Sequence, residues 1–355
     1  MAYISFKPSD FFNAHKYTGT GSSNAVTGVG FSPDAVWIKT TSNGQKPCMF
    51  DTVRGVQKVI YPSESTAEIT DSSLLTAFGA DGFTVVSDSD VNGSGYAFSS
   101  WNWKAGTTSG LSGGTITPSS YSYNATTGFG IYKWSGTGSA GTIAHGLGKV
   151  PQMIQVKRLD TTYSWVGYFN PLGSSKNLAF NLSNAAGNAG VGIWNSTNAT
   201  NTVFSVGTDD AVNLSGGTYV AYVWCNVAGS SSIGEYIGNG SADGTFVYTG
   251  FEPEMIIAKN RDSGGVAAYG WTQISNTFGM GGATTANPAF NELTQNVFVD
   301  QLVAAATGNP VDFLSNGFKW RGTGTGSNQS GAPFAYMAFA RQPIIGSGGT
   351  VGVAR

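Results

Sequence analysis

An all-β fold is what this sequence predicts, built as three tandem antiparallel β-sandwich modules of jelly-roll or lectin-like kind. Three observations carry the expectation. An aromatic-led glycine turn occurs three times, as Tyr17-Thr18-Gly19-Thr20-Gly21, Trp134-Ser135-Gly136-Thr137-Gly138 and Tyr236-Ile237-Gly238-Asn239-Gly240. After each turn a proline opens an apolar run that ends on lysine six residues later, at Pro33 to Lys39, Pro151 to Lys157 and Pro253 to Lys259. These runs are too short for helices, rich in β-formers and bounded by turn residues, which is the signature of buried strands. Finally, 51 glycines and 13% aromatic residues accompany only 11% charged residues, a balance that suits packed strands joined by tight turns. Repeats that keep their frame while loop lengths drift build scaffolds, so the expectation is architecture or binding ahead of a catalytic centre.

Taken in order, Met1 to His15 reads as an N-terminal arm ahead of the first module, 16–105. In that module the proline strand Ala35-Val36-Trp37-Ile38 has its proline at the entry, where a missing N–H is harmless. Ser65 followed by Glu68 forms a capping box ahead of Ile69, Leu74, Leu75 and Phe78, which predicts a short helix. Phe83 then precedes an aromatic closing strand, Tyr96 to Trp101. A Gly/Ser/Thr linker over 106–120 leads to the second module, 121–228, with Met153-Ile154-Gln155-Val156, Phe204 and Tyr219 to Trp224 in the corresponding roles. A shorter link, Ala228 to Gly234, opens the third module, 229–341, with Met255-Ile256-Ile257-Ala258, Phe318 and Phe334 to Phe339. The core phenylalanine stands 13, 15 and 16 residues before its closing strand, the slippage of a hairpin loop. From lysine to phenylalanine the spacing runs from 44 through 47 to 59 residues, so the middles are the variable part. Residues 342–355 form a Gly-rich tail.

Several function classes are disfavoured by composition. The net charge is −2 and no segment carries the basic stripe that phosphate neutralisation demands, so nucleic acid is not an expected partner. Cys48 and Cys225 lie in different modules with no metal-ligand spacing, and they read as buried free thiols. No cofactor and no metal is expected. The first residues lack a charged and then apolar leader, and no run approaches the length of a membrane span, which predicts a soluble protein without a signal peptide or membrane insertion.

Catalytic constellations do not assemble from the remaining residues. His15 falls in the arm, and His145 falls in the turn Ala144-His145-Gly146-Leu147-Gly148, where the other modules carry Gly28-Val29-Gly30-Phe31 and Tyr248-Thr249-Gly250-Phe251. A shared turn position points to a turn residue, and no Ser-His-Asp order results. Two carboxylates across a groove can cleave glycosides, but Asp88 with Asp90 and Asp209 with Asp210 sit in turn-rich sequence and read as solvated turn acids. Asp51-Thr52-Val53-Arg54-Gly55 reads as a salt-bridged loop anchor of the weak surface kind. The Gly-rich turns lack the lysine and helix of a phosphate loop.

Aromatic residues in the variable middles are the candidate binding residues: Tyr163, Trp165, Tyr168 and Trp194 in the second module, Tyr269 and Trp271 in the third. They stand among Asn, Ser, Thr and Gly, the mixture used by sugar-binding and protein-binding loops. The competing reading makes each of them the core residue of the next strand.

Met1-Ala2-Tyr3-Ile4-Ser5-Phe6-Lys7-Pro8, Gly30-Phe31-Ser32-Pro33, Trp37-Ile38-Lys39, Asp51 to Gly55, Trp101-Asn102-Trp103-Lys104-Ala105 and Ala335-Tyr336-Met337-Ala338-Phe339-Ala340, together with the glycine turns, carry a resemblance. The chain resembles a family of repeat-built tail fibre and virion structural proteins of tailed bacteriophages, of the marine phage and cyanophage type. It departs from that pattern at Arg341-Gln342-Pro343, where an acid usually follows the closing strand. The resemblance implies a virion protein assembled in the host cytoplasm, without catalytic residues, partnered by other virion proteins and by copies of itself, with a homotrimer preferred. It implies host attachment through a bacterial surface glycan or protein as a tail fibre or spike; the alternative is a capsid decoration or tail-assembly protein with no receptor.

Overall fold

The computed structural model describes residues 6–262, 270–277, 292–341, 344–345 and 351–352. Its elements are almost all strands, and every paired strand is antiparallel to its neighbour. One strand order recurs in the three repeats: opening strand, closing strand, lysine strand, then a fourth strand. In the first repeat these are Phe12–Thr18, Ala97–Trp103, Ala35–Thr40 and Cys48–Asp51. In the second they are Phe129–Ser135, Thr218–Cys225, Pro151–Arg158 and Val166–Phe169, with Ser120–Asn124 added outside the opening strand. In the third, Ser231–Ile237, Pro333–Ala340, Pro253–Asn260 and Thr272–Ser275 continue through Glu292–Phe298 into one eight-stranded sheet.

A smaller sheet covers one face of the four-strand set in the first two repeats, and in the third the far strands of the eight-stranded sheet, with Val247, Val311 and Phe318, do so. In the first repeat Val26, Phe83 and Val85 of the small sheet pack on Val36, Ile38, Phe50 and Phe98 of the large one. The alternation of the strands then leaves a second face of the large sheet to be buried elsewhere. That face is buried against the other two repeats. A single core holds Trp37, Trp101 and Trp103 with Met153, Phe180 and Trp224 and with Met255, Met337 and Phe339. The three repeats close on one another around this shared aromatic centre. The segment 106–120 is also no free spacer, because Thr107 pairs with Tyr123 and Ile116 with Ile143.

The register confirms the lysine arithmetic and corrects the closing strand. Lys39, Lys157 and Lys259 face Ser99, Val220 and Ala335, each four residues ahead of Trp103, Trp224 and Phe339. Trp103, not Trp101, is thus the counterpart of Trp224 and Phe339. Trp101 and Trp103 point to the same face two residues apart, so spacing alone could not choose between them. With this register Phe98, Tyr219 and Phe334 become equivalent, and each lies against its opening aromatic: Phe98 on Tyr17 at 5.1 Å, Tyr219 on Trp134 at 5.4 Å and Phe334 on Tyr236 at 4.9 Å.

The glycine turns owe their sequence to a buried asparagine. Asn92, Asn213 and Asn328, each fully buried, accept from the backbone N–H of Thr20, Thr137 and Asn239 at 2.9, 2.9 and 3.0 Å. A Cβ on Gly19, Gly136 or Gly238 would meet the backbone oxygen of Gly93, Leu214 or Gln329 at 2.2, 2.1 and 2.3 Å, which only glycine avoids.

Two further expectations are corrected. Residues 65–68 form no helix: Glu68 bonds Arg54 and Lys58 instead of capping, and Ile69–Thr70 is a strand. The short helix of this repeat is Ser89–Asn92, capped by Asp88. His15 belongs to the opening strand and not to an arm, since it pairs with Ser100.

Candidate functional site

The candidate binding aromatics lie in the interior. Trp165 and Trp271 are fully buried in the shared core, while Tyr168 and Trp194 are buried inside the second repeat. Tyr163 is half-buried beside the Arg158 guanidinium, 5.5 Å from ring centre to carbon. Tyr269 lies outside the described residues. All nine tryptophans of the chain are at most 2% exposed, so none can reach a partner while the protein is folded. Tyr168 lies on the strand Val166–Phe169, which is buried at all four positions, Trp165 and Trp271 each stand one residue before a strand, and Trp194 ends the short helix Gly190–Trp194.

Trp165 and Trp271 instead fasten one repeat to the next. Each immediately precedes the fourth strand of its repeat, whose first residue, Val166 or Thr272, pairs with Val156 or Ala258, the residue before Lys157 or Lys259. Trp165 Nε1 donates to Tyr61 O of the first repeat at 3.0 Å, and Trp271 Nε1 donates to Ala179 O of the second at 2.8 Å. The two acceptors are equivalent, because Tyr61 follows Ile60, which pairs with Met49, and Ala179 follows Leu178, which bonds Gly167. The corresponding position in the first repeat is Pro47, which has no side-chain donor. There the third repeat meets the first through Ala305 N to Thr41 O at 2.9 Å and Phe12 against Phe339 at 4.9 Å.

The three lysines are buried beside these seams. Burial lowers each to about 8, opposed by Cys48 and Asp90 at Lys39, by Asp160 at Lys157 and by Asp300 at Lys259. Lys39 Nζ donates to Gln45 O; Lys157 Nζ donates to Arg158 O at 2.7 Å and, across the seam, to Ser65 O at 3.3 Å. Lys259 stands 5.9 Å from the Trp271 ring. Burial pushes Asp300 up to about 6, against the pull of Lys259, and its carboxylate accepts from Trp271 N at 3.0 Å.

Asp51 and Arg54 form the most concentrated polar cluster, and its setting corrects the surface reading. Both side chains are fully buried, with Nε to Oδ2 at 2.5 Å. Arg54 also donates to Glu68 at 3.2 Å, to Lys58 O at 3.1 Å and to Met49 O at 2.8 Å. Tyr222 of the second repeat donates its hydroxyl to Asp51 Oδ2 at 2.5 Å. Burial opposes the Arg54 charge, but Asp51, Tyr222 and Glu68 outweigh it and hold the guanidinium above its ordinary value. Burial raises the Tyr222 phenol well above its usual range, so it stays a donor. A buried pair satisfied in this way fixes the first seam, because breaking either partner strands a charge.

The remaining titratable groups serve turns. His145 Nδ1 accepts from Leu147 N at 3.2 Å and Nε2 faces Thr200 O at 3.1 Å, so the ring is neutral with its proton on Nε2, and burial lowers its pKa. Asp88 and Asp209 accept from Asp90 N and Ala211 N at 2.7 and 2.8 Å. Cys48 and Cys225 are buried free thiols. Among the described residues no three of His, Cys, Asp and Glu gather to hold a metal ion, and no helix is long and apolar enough to cross a membrane. At the far end of the shared core from the lysines, Phe12, Trp103, Phe129, Trp224 and Phe339 surround a pit with room for about one water molecule.

Fold and seams together define a repeat-built all-β protein whose buried polar groups join repeat to repeat. Over residues 7–343 the chain matches the family described as Domain of unknown function (DUF7483), and it belongs to that family. That one match spans all three repeats. No curated protein and no solved structure matches the chain.

Proposed function

We propose that this protein is a structural component of a tailed-bacteriophage particle, positioned as a tail fibre or spike part used in host attachment. The observation that carries the structural role is the use of the repeat signature. The shared aromatic core, the Lys157 bond to Ser65 O and the Asp51–Arg54 pair with Tyr222 hold repeat to repeat, the buried asparagines hold the turn of each repeat, and the pit on the core is only water-sized. Attachment to a surface glycan or protein then falls to exposed loops of variable length and not to Trp165, Tyr168, Trp194 or Trp271.

Burial of these aromatics favours a second reading, a head decoration or tail-assembly protein without a receptor. Imaging of the particle with the protein labelled tests both. A few symmetric copies at the tail support the attachment reading, many copies over the head support the second, and absence from particles refutes a virion role. The homotrimer rests on likeness to viral fibres alone, since one chain already makes a ring of three repeats. Light scattering that returns the single-chain mass of 36.8 kDa refutes the trimer.

A further inference from the structure

We propose that the strand Phe246–Tyr248, at the end of the third repeat's sheet, is a stacking platform for an uncharged saccharide, held by the faces of Phe246 and Tyr248. The proposal narrows the attachment reading to one strand and rests on it. Among the described residues every aromatic side chain is buried or half-buried except these two, at 43% and 67% exposed. They stand two residues apart, so both project from one side of the strand, about 7 Å from each other.

The fold does not ask for aromatic residues at these positions. Val247 lies opposite Phe318 as Val26 lies opposite Phe83 and Ile143 opposite Phe204, which makes the three outer strands equivalent. Phe246 and Tyr248 then take the places of Ala25 and Thr27 in the first repeat and of Thr142 and Ala144 in the second. In the second repeat this edge is lined by Ile116, which pairs with Ile143 and donates its N–H to Thr142 O at 2.9 Å. A strand is accepted there on a threonine and an alanine, so strand addition gives no reason for two exposed rings.

Both rings are held in place by neighbouring backbone. A Cβ on Gly317 would stand 2.9 Å from Phe246 Cε2, so the Phe246 ring lies across that glycine, and a Cβ on Gly250 would stand 3.5 Å from the Tyr248 hydroxyl. Rings fixed before contact lose little entropy on binding, and they offer apolar faces to the C–H side of a sugar ring. Lys319 is the direct cross-strand partner of Phe246, and the charges around it cancel: Lys319 Nζ and Arg321 Nη1 reach Asp243 Oδ1 at 2.7 and 3.3 Å, while Arg321 Nε reaches Asp312 Oδ2 at 2.6 Å. Such a balanced rim of donors and acceptors complements hydroxyl groups and has no surplus charge for an anionic or cationic partner. Two side chains offer on the order of 200 Å², against about 1,200 Å² for a specific protein interface, which argues against a second copy or another folded protein as the occupant.

The full chain is screened on an array of neutral and charged oligosaccharides, the neutral ones built from glucose, galactose, mannose and N-acetylglucosamine, and hits are titrated by calorimetry. Binding of a neutral oligosaccharide is expected, weakened about tenfold in Phe246→Ala and in Tyr248→Thr, which install the residues that the first repeat carries there. Unchanged thermal unfolding of both variants shows that the loss is one of contact. No neutral hit, hits confined to charged sugars, or the same affinity in the double variant would overturn the proposal. So would a doubled molecular mass that Tyr248→Thr abolishes, which marks a second copy as the occupant. A tail location on imaged particles with no saccharide bound fails this proposal and leaves the attachment reading standing; a bound saccharide with no protein on particles does the reverse.

Discussion

Replacing Lys157 by methionine tests the buried lysine layer with a number attached. The group is depressed from an ordinary value near 10.4 to about 8 by burial, which at ~1.4 kcal/mol per unit costs the folded state about 3 kcal/mol at pH 7. Because the folded value is the lower one, the unfolded chain binds more protons between the two values. Stability therefore rises with pH through that window, and integration from pH 7 to pH 9.5 gives a gain of about 2 kcal/mol from this one residue. Lys157→Met removes the titration and keeps the volume. It also forfeits the bonds to Ser65 O and Arg158 O, each worth ~1 kcal/mol, so at pH 7 the variant should be at least as stable as the parent. Guanidinium unfolding at pH 7 and 9.5 measures both effects. Buried Cys48 and Cys225, raised by burial, push the other way over the same window in both proteins, so the difference between parent and variant isolates the lysine. Parallel pH curves for the two proteins would refute the reasoning.

Other outcomes follow from the seams and turns. Arg54→Met should lower stability by about 3–5 kcal/mol by stranding Asp51, and Asp51→Leu added to it should restore much of the loss; thermal unfolding of the three proteins checks this. Asn213→Ala removes bonds to Thr137 N, Ser139 O and Gly207 O in a fully buried site, and denaturant titration should show a loss of about 2–3 kcal/mol. Trp271→Ala should cost about 3–5 kcal/mol, whereas Trp271→Phe should cost less, losing chiefly the bond to Ala179 O; a Phe variant as unstable as the Ala variant would speak against the packing account.

Strand composition, the glycine turns and the proline-to-lysine interval were legible because each is a local pattern enforced by backbone geometry. The asparagines were equally periodic, six residues before Phe98, Tyr219 and Phe334, but an asparagine among turns is ordinary until its burial is seen. Ser65 and Glu68 have helix-start spacing, yet Glu68 gains more from Arg54 and Lys58 than from a cap. The aromatics of the variable middles misled because sequence gives the period of a strand and not what lies against its second face. Trp165 and Trp271 become intelligible only when Tyr61 and Ala179 are brought to them from other repeats.

Pro47 in place of an indole makes the three seams unequal. Covalent chain crosses from the first repeat to the second and from the second to the third, and those are the seams with a tryptophan latch. The seam between third and first has neither. Tension applied to the two chain ends would load that seam first, since Phe12 and Phe339 face each other across it. The molecule is mechanically a split ring, stiff along most of its circumference and able to yield at a single cut.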